Sequence, residues 1–417
     1  MRGPIFSVFA LLSSVALLLA GNGLLSILLV VRAGAEGFGH LGTGLIMSGY
    51  FVGFILGTSG SPSLIRRIGH IRAFSVFATV AAVAALLYPV WNVQPVWIGL
   101  RILTGIALAG LCTVIESWLN TQAEPVHRSR VFAAYMVVSL VALSLGQLLL
   151  NTQPSGSFVL FSMVAIMVSL AAIPVAWTRL EQPVLHAGPA MRLGQVVKLV
   201  PGAAIGALLA GVALGAFWSL GPAYASSVGL TRVQVSAFMS ITILGGAVMQ
   251  FPIGRLSDRH DRRTALALVS GVGALLALVA TFMPGLDAPR LYLLFFLIGG
   301  VVFALYPLCV AHLLDHLPAN ALLAGCSALL LLNGLGAAIG PLLAGAAMQQ
   351  LGATALPMLF AVTLLLLALV TGSRRLLRVR TLLHPARFHP MLRTTPVALE
   401  LLPQINEQPM NQKGRAP

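Results

Sequence analysis

The chain has 417 residues, of which 58% are hydrophobic and 8% charged, with ten carboxylates in all. A soluble globular domain carries roughly a quarter charged residues, so this composition excludes one. The net charge of +15 rests on basic residues that are not interleaved with aromatics, and no nucleic-acid partner is expected.

A helix crossing hydrocarbon needs about 20 mostly apolar residues, because no water is there to satisfy backbone groups. Twelve such runs follow one another, at about 6–31, 43–61, 71–90, 96–120, 129–150, 157–177, 200–226, 233–254, 264–284, 290–312, 320–346 and 353–372. The first is too long for a secretory signal and is followed by eleven more, so it reads as a retained helix. With the N-terminus inside, 21 Lys and Arg fall on the cytoplasmic side and three, Arg32, Arg232 and Arg290, on the other. That bias predicts a multi-pass protein of the bacterial inner membrane with both termini cytoplasmic, in contact with membrane lipids. It also accounts for the net charge. Cys112, Cys309 and Cys326 lie inside apolar runs without paired spacing and read as small core residues rather than disulfides or metal ligands.

The chain divides into two halves of six runs, 1–178 and 200–372, around a short polar linker at 179–199. An offset of 194 places Gly21 on Gly215, Gly60 on Gly254, Pro95 on Pro289, Gly105 on Gly299 and Gly146 on Gly340. Parallel six-helix repeats of this kind are one of the known transporter plans, with the solute path between them near mid-membrane. Residues 373–417 hold eight basic and two acidic residues and six prolines. They read as a disordered cytoplasmic tail resting on the anionic inner leaflet, at about 1 kcal/mol per well-placed basic residue.

After the eighth run stands Gly254-Arg255-Leu256-Ser257-Asp258-Arg259-His260-Asp261-Arg262-Arg263. This resembles the major facilitator signature G-x-L-x-D-R-x-G-R-R, with Asp261 in place of its second glycine. The corresponding loop after the second run reads Arg66-Arg67-Ile68-Gly69-His70-Ile71-Arg72, with Arg66 where the signature has its Asp. That loop, with Glu116-Ser117-Trp118-Leu119-Asn120 after it, is similar to the YcaD-like bacterial branch, whose substrates are unassigned. The resemblance implies an all-α membrane fold of twelve helices in two pseudo-symmetric six-helix bundles, the major facilitator fold. It also implies a cytoplasmic gate made by Gly254, Asp258, Arg259, Arg262 and Arg263 with Arg66, Arg67, Gly69 and Arg72. A carboxylate ringed by guanidiniums at the membrane boundary makes charge-assisted bonds that a rocking motion can break. The plainer reading is that these arginines only enforce topology.

Candidates for a solute or coupling site are the polar residues in apolar runs. Arg101 begins Arg101-Ile102-Leu103-Thr104-Gly105, which resembles the R-x-x-x-G pattern linked in the family with proton coupling. An arginine inside a span costs about 2.5–3.5 kcal/mol on insertion scales, so a cavity or a counter-charge must hold it unless its stem snorkels to the headgroups. Glu116 lies on the same run, about 22 Å further along a helix. It serves either as a proton carrier or as a water-exposed carboxylate at the cytoplasmic end. Asn22 between two glycines, Gln147, Trp218 and Asn333 complete the set. Each of these has helix–helix hydrogen bonding as its alternative role.

The expectation is a monomeric secondary transporter moving a small-molecule substrate by alternating access, coupled to protons and without a cofactor. The alternative is a multidrug efflux antiporter, although the fifth run lacks the G-x8-G-x3-G-P pattern of that group. An enzyme is not expected. Its best case is a metal-dependent hydrolase on His312-Leu313-Leu314-Asp315-His316, similar to the H-x-x-E-H zinc pattern but without a third ligand. No phosphate-binding P-loop is present to support direct ATP hydrolysis.

Overall fold

The computed structural model describes residues 4–122, 127–177, 183, 191–283, 285–318, 321–373, 388–391 and 395–399. Much of the expected linker and tail lies outside the described residues. Among the described residues twelve helices are long and apolar enough to cross a membrane, one for each apolar run of the sequence. In the first half these are α1 (Pro4–Ala35), α2 (Gly39–Ile68), α3 (His70–Leu87), α4 (Gln94–Gln122), α5 (Arg128–Leu148) and α6 (Phe158–Leu170), the last continued after a break by α7 (Ala172–Trp177). A short α8 (Leu193–Leu199) leads into the second half. There α9 (Pro201–Ser227), α10 (Arg232–Arg259), α11 (Arg262–Phe282), α12 (Ala288–Leu314), α13 (Leu322–Leu351) and α14 (Ala355–Gly372) complete the bundle. A last turn, α15 (Pro396–Leu399), lies far along the chain from α14.

Caps and glycines fix where the helices begin and how near they come. Thr231 and Gln234 form a capping box that starts α10, satisfying two backbone donors left bare at a helix start. Within the bundles α2 packs on α4, α1 on α5, α9 on α13 and α10 on α12. Small residues let the backbones approach, which is what lipid-solvated helices need in place of a hydrophobic drive. A Cβ at Gly105 would run into the Tyr50 carbonyl of α2, and one at Gly53 into the Ile102 carbonyl of α4. The peripheral helices α3, α6, α11 and α14 instead expose Val83, Ile166, Leu275 and Leu369, as lipid-facing surfaces do.

The two halves meet through α2 with α13 and α5 with α10. At the end remote from the signature loops this contact is tight. Ser48 Oγ donates to the Ala338 carbonyl at 2.5 Å and Ser240 Oγ to the Ser144 carbonyl at 2.9 Å. Asn151 Nδ2 donates to Ser236 Oγ at 2.7 Å, and Arg232 Nη1 to the Gln153 carbonyl at 2.7 Å. At the arginine-rich end the same helices separate. Thr58 of α2 and Ala324, Ser327 and Ala328 of α13 line an open space, with Met191, Leu193 and Pro396 at its edge. The halves are joined at one face and part at the basic face.

Candidate functional site

A cavity enclosing about 870 Å³ of empty space, its mouth included, lies between the halves. The α1 residues Asn22 and Ser26, Tyr50, Phe51 and Phe54 of α2, Arg101 and Cys112 of α4, Tyr135 and Ser139 of α5 and Trp218 of α9 form its wall. Glycine spacing explains why Arg101 faces inward: Gly105, one turn on, presses α4 against α2, and Tyr50 on α2 receives the guanidinium. Arg101 Cζ lies 4.8 Å from the Tyr50 ring centroid, a cation–π distance. Arg101 Nη2 donates to Ser26 Oγ at 3.0 Å. Its Nε and Nη1 are buried and make no hydrogen bond of good geometry, with the Tyr88 hydroxyl beside the guanidinium, and Asn22 Oδ1 is likewise unsatisfied. With 1% of its surface exposed, Arg101 does not snorkel. Buried guanidinium donors without good hydrogen bonds are costly, and here they stand in the wall of a cavity that could receive an acceptor.

Glu116 sits one helical turn beyond Cys112, toward the basic face, and is fully buried. Its Oε1 accepts a hydrogen bond from the Tyr135 hydroxyl at 2.6 Å. Its Oε2 accepts from the Thr395 amide at 3.2 Å and from the Thr395 hydroxyl. The water-exposed carboxylate considered from the sequence is therefore not what this structure contains. Tyr135 is a cavity residue, so its hydroxyl links the cavity wall to the carboxylate.

The remaining candidates stand apart. Asn333 Nδ2 donates to the Ala207 carbonyl at 3.0 Å, joining α13 to α9. Gln147 is buried in α5 with neither side-chain atom bonded, and it is absent from the cavity wall. Of the six polar candidates, Asn22, Arg101 and Trp218 are brought together. Ser26, Tyr50 and Tyr135 escaped the sequence reading, because a serine or an aromatic residue in an apolar run carries no mark.

Among the described residues, the signature-loop ion pairs lie within the second half. Arg262 Nη1 donates to Asp258 Oδ1 at 2.8 Å and to Ser257 Oγ at 2.6 Å, while its Nε reaches Asp315 Oδ2 at 3.3 Å. Arg263 Nη2 donates to the Ser373 carbonyl at 3.1 Å, fastening α11 to the end of α14. In the first half Arg66 donates to Ser63 Oγ at 3.2 Å, and Arg67 and Arg72 are exposed, as Arg259 is. Gly69 turns the chain at φ +84° between α2 and α3, a backbone state that favours glycine. Asp261, which replaces the second signature glycine, has φ −56° and caps α11 by accepting the Thr264 amide. The same motif position thus starts the next helix by two different means.

Asp315 is engaged by Arg262 and His316 Nδ1 pairs with the His312 carbonyl at 2.8 Å. Among the described residues no group of three or more His, Cys, Asp or Glu is placed to hold a metal ion. The hydrolase alternative gains no site from this cluster.

Two parallel six-helix bundles around a central cavity are the major facilitator fold, and residues 203–399 match the sequence model of the Major Facilitator Superfamily. The crystal structure of the nucleoside transporter NupG superimposes with a TM-score of 0.71 at 14% identity, covering 89% of this chain and 98% of that one. A bacterial homolog of the human lysosomal transporter Spinster, in an inward-facing and unoccupied conformation, superimposes with a TM-score of 0.69 at 14% identity, covering 88% and 94%. The second half of the chain thus matches the family model and the whole chain has the family's fold, a likeness to transporters that points away from an enzyme. More particularly it is similar to the uncharacterized MFS-type transporter YcaD of Escherichia coli O7:K1, at 28% identity over 349 residues, or 82% of this chain and 89% of that protein. An uncharacterized MFS-type transporter of Enterobacter sp. (strain 638) is 28% identical over the same shares of the two chains.

Proposed function

We propose that this chain is a secondary active transporter of the bacterial inner membrane, working as a monomer with its basic face and both termini in the cytoplasm. A small solute enters the central cavity, and the halves rock so that it opens alternately to either side. The observation that carries this reading is Arg101. Its two guanidinium donors without a good hydrogen bond, beside Tyr50 and across from Trp218, favour an anionic or zwitterionic solute. Such a solute would supply well-placed acceptors, and charge-assisted bonds are the strong ones.

A thermal-shift screen of purified protein against metabolites and drugs, at two pH values, tests it. A ligand that binds the folded state raises the melting temperature by mass action, by about 2.7 kcal/mol of stability at a hundred times Kd. Stabilisation by a carboxylate or phosphate metabolite, lost in Arg101→Ala, is the expected result. Stabilisation by bulky lipophilic cations alone would overturn it in favour of multidrug efflux.

Coupling to protons is the finer part of the proposal. Glu116 is buried, and through Tyr135 it is one hydrogen bond from the cavity wall. A proton held there can be exchanged as the halves move. In proteoliposomes Glu116→Gln is expected to leave solute exchange intact while abolishing uptake driven by a pH gradient. Gradient-driven uptake that persists in the variant would remove Glu116 from the coupling path. The division into bundles at 1–178 and 200–372, and the gating role of the signature arginines, belong to the same proposal.

A further inference from the structure

Residues 388–391 and 395–399 belong to the stretch whose sequence reads as a disordered, membrane-resting tail, yet these residues are seated among the helices. At one end the Phe388 amide donates to Asp258 Oδ1 at 2.9 Å, the carboxylate that also holds Arg262. The Phe388 ring lies on Gly254, and the three atoms nearest to a Cβ built there all belong to that ring. Gly60, its counterpart in the first half, faces open space. Next, the Met391 amide donates to Gln250 Oε1 at 3.0 Å, while Gln250 Nε2 is held by the Gly246 carbonyl. At the other end Thr395 gives both its amide and its hydroxyl to Glu116, and α15 packs on α4 and α13. Met391, Ala398 and Leu399 are buried.

We propose that the mouth of the cavity at the basic face is a peptide-binding site, and that its occupant is this chain's own C-terminal segment. The seat is specific in its chemistry. A glycine shelf takes an aromatic ring and a buried glutamine takes a backbone amide, while carboxylates on opposite halves take the Phe388 amide and the Thr395 amide and hydroxyl. Bonded to Glu116 in the first half and to Gln250 and Asp258 in the second, the segment spans the gap between α4 and α10. The halves cannot close at this face while it remains, so the seated tail holds the transporter open to the basic side and arrests the cycle. The consequence for transport rests on the reading of the chain as a transporter. The seating itself does not.

Labelling of Cys112 by a bulky maleimide in the purified full-length protein reads the seating directly, with no need of a solute. Cys112 is in the cavity wall, one turn from the Glu116 to which Thr395 is bonded. Losing a bond to a carboxylate corresponds to about a tenfold rise in the unseated fraction, and the labelling rate of Thr395→Ala should rise by that factor. Gly254→Leu acts at the far end of the seat, by filling the place of the Phe388 ring, and should accelerate labelling in the same way. It also guards against a folding defect in the first variant, with the melting curve of each as the check. Folded variants that label at the parent rate would overturn the seated-tail proposal. Faster labelling with no gain in solute flux would uphold the seat and count against the transport reading alone.

Discussion

At the residue scale, the proposed function rests on groups that the membrane interior should reject. Arg101 was conspicuous in the sequence because a charge inside an apolar run must be explained. The sequence did not say how it is held, because that depends on Tyr50 and Ser26 in helices far away along the chain. Glu116 was visible for the same reason, but its partner Tyr135 was not, since an aromatic residue in such a run usually means packing. Asn333, for which the sequence offered helix–helix hydrogen bonding beside ligand contact, donates to the Ala207 carbonyl and so joins α13 to α9. Removing the hydroxyl in Tyr135→Phe should destabilise the protein by about 1–3 kcal/mol, since one oxygen of a buried carboxylate loses its closest donor. Thermal unfolding in detergent measures this. An unchanged midpoint would mean that the bond contributes nothing to the fold.

At the scale of elements, all twelve membrane helices were legible, because an unpaired backbone in hydrocarbon leaves a run of that length and composition no other structure. The break between α6 and α7, and the short α8, were not legible, because they are set by packing rather than by hydropathy. Glycines were legible as residues but not as contacts. The α2–α4 seam makes the difference testable. A Cβ at Gly105 would meet backbone atoms of α2, whereas Gly99 on the same helix faces open space. Gly105→Ala should therefore force the helices apart at about 1–3 kcal/mol, the usual range for overpacking, and Gly99→Ala should cost nothing measurable. Comparing the melting temperatures of the two variants decides it; equal values would mean that the seam adjusts freely.

At the scale of the molecule, the pseudo-symmetry seen at an offset of 194 predicted the two-bundle plan, but no sequence feature states which face is open. That depends on which pairs of helix ends are in contact, and a single chain must populate more than one such arrangement if it is to carry a solute. The contact of Ser48 with Ala338 belongs to the arrangement described here. Cysteines introduced at both positions should react with a short bifunctional crosslinker and, once joined, block solute exchange. Exchange that continues in the crosslinked protein would mean that α2 and α13 need not part at that face.

The two faces also differ in what a change of ionic strength can do to them. The closed seam is made of hydroxyl, amide and carbonyl contacts, with charge entering through Arg232 on the Gln153 carbonyl. The basic face has an exposed Asp258 paired with a buried Arg262, with exposed arginines around them. Salt shortens the reach of exposed charges to about 8 Å at physiological concentration and about 3 Å at 1 M. High salt should thus leave the seam intact while weakening the ionic grip of the open face. A change of salt at the basic face therefore reaches the charges of that face and leaves the seam untouched.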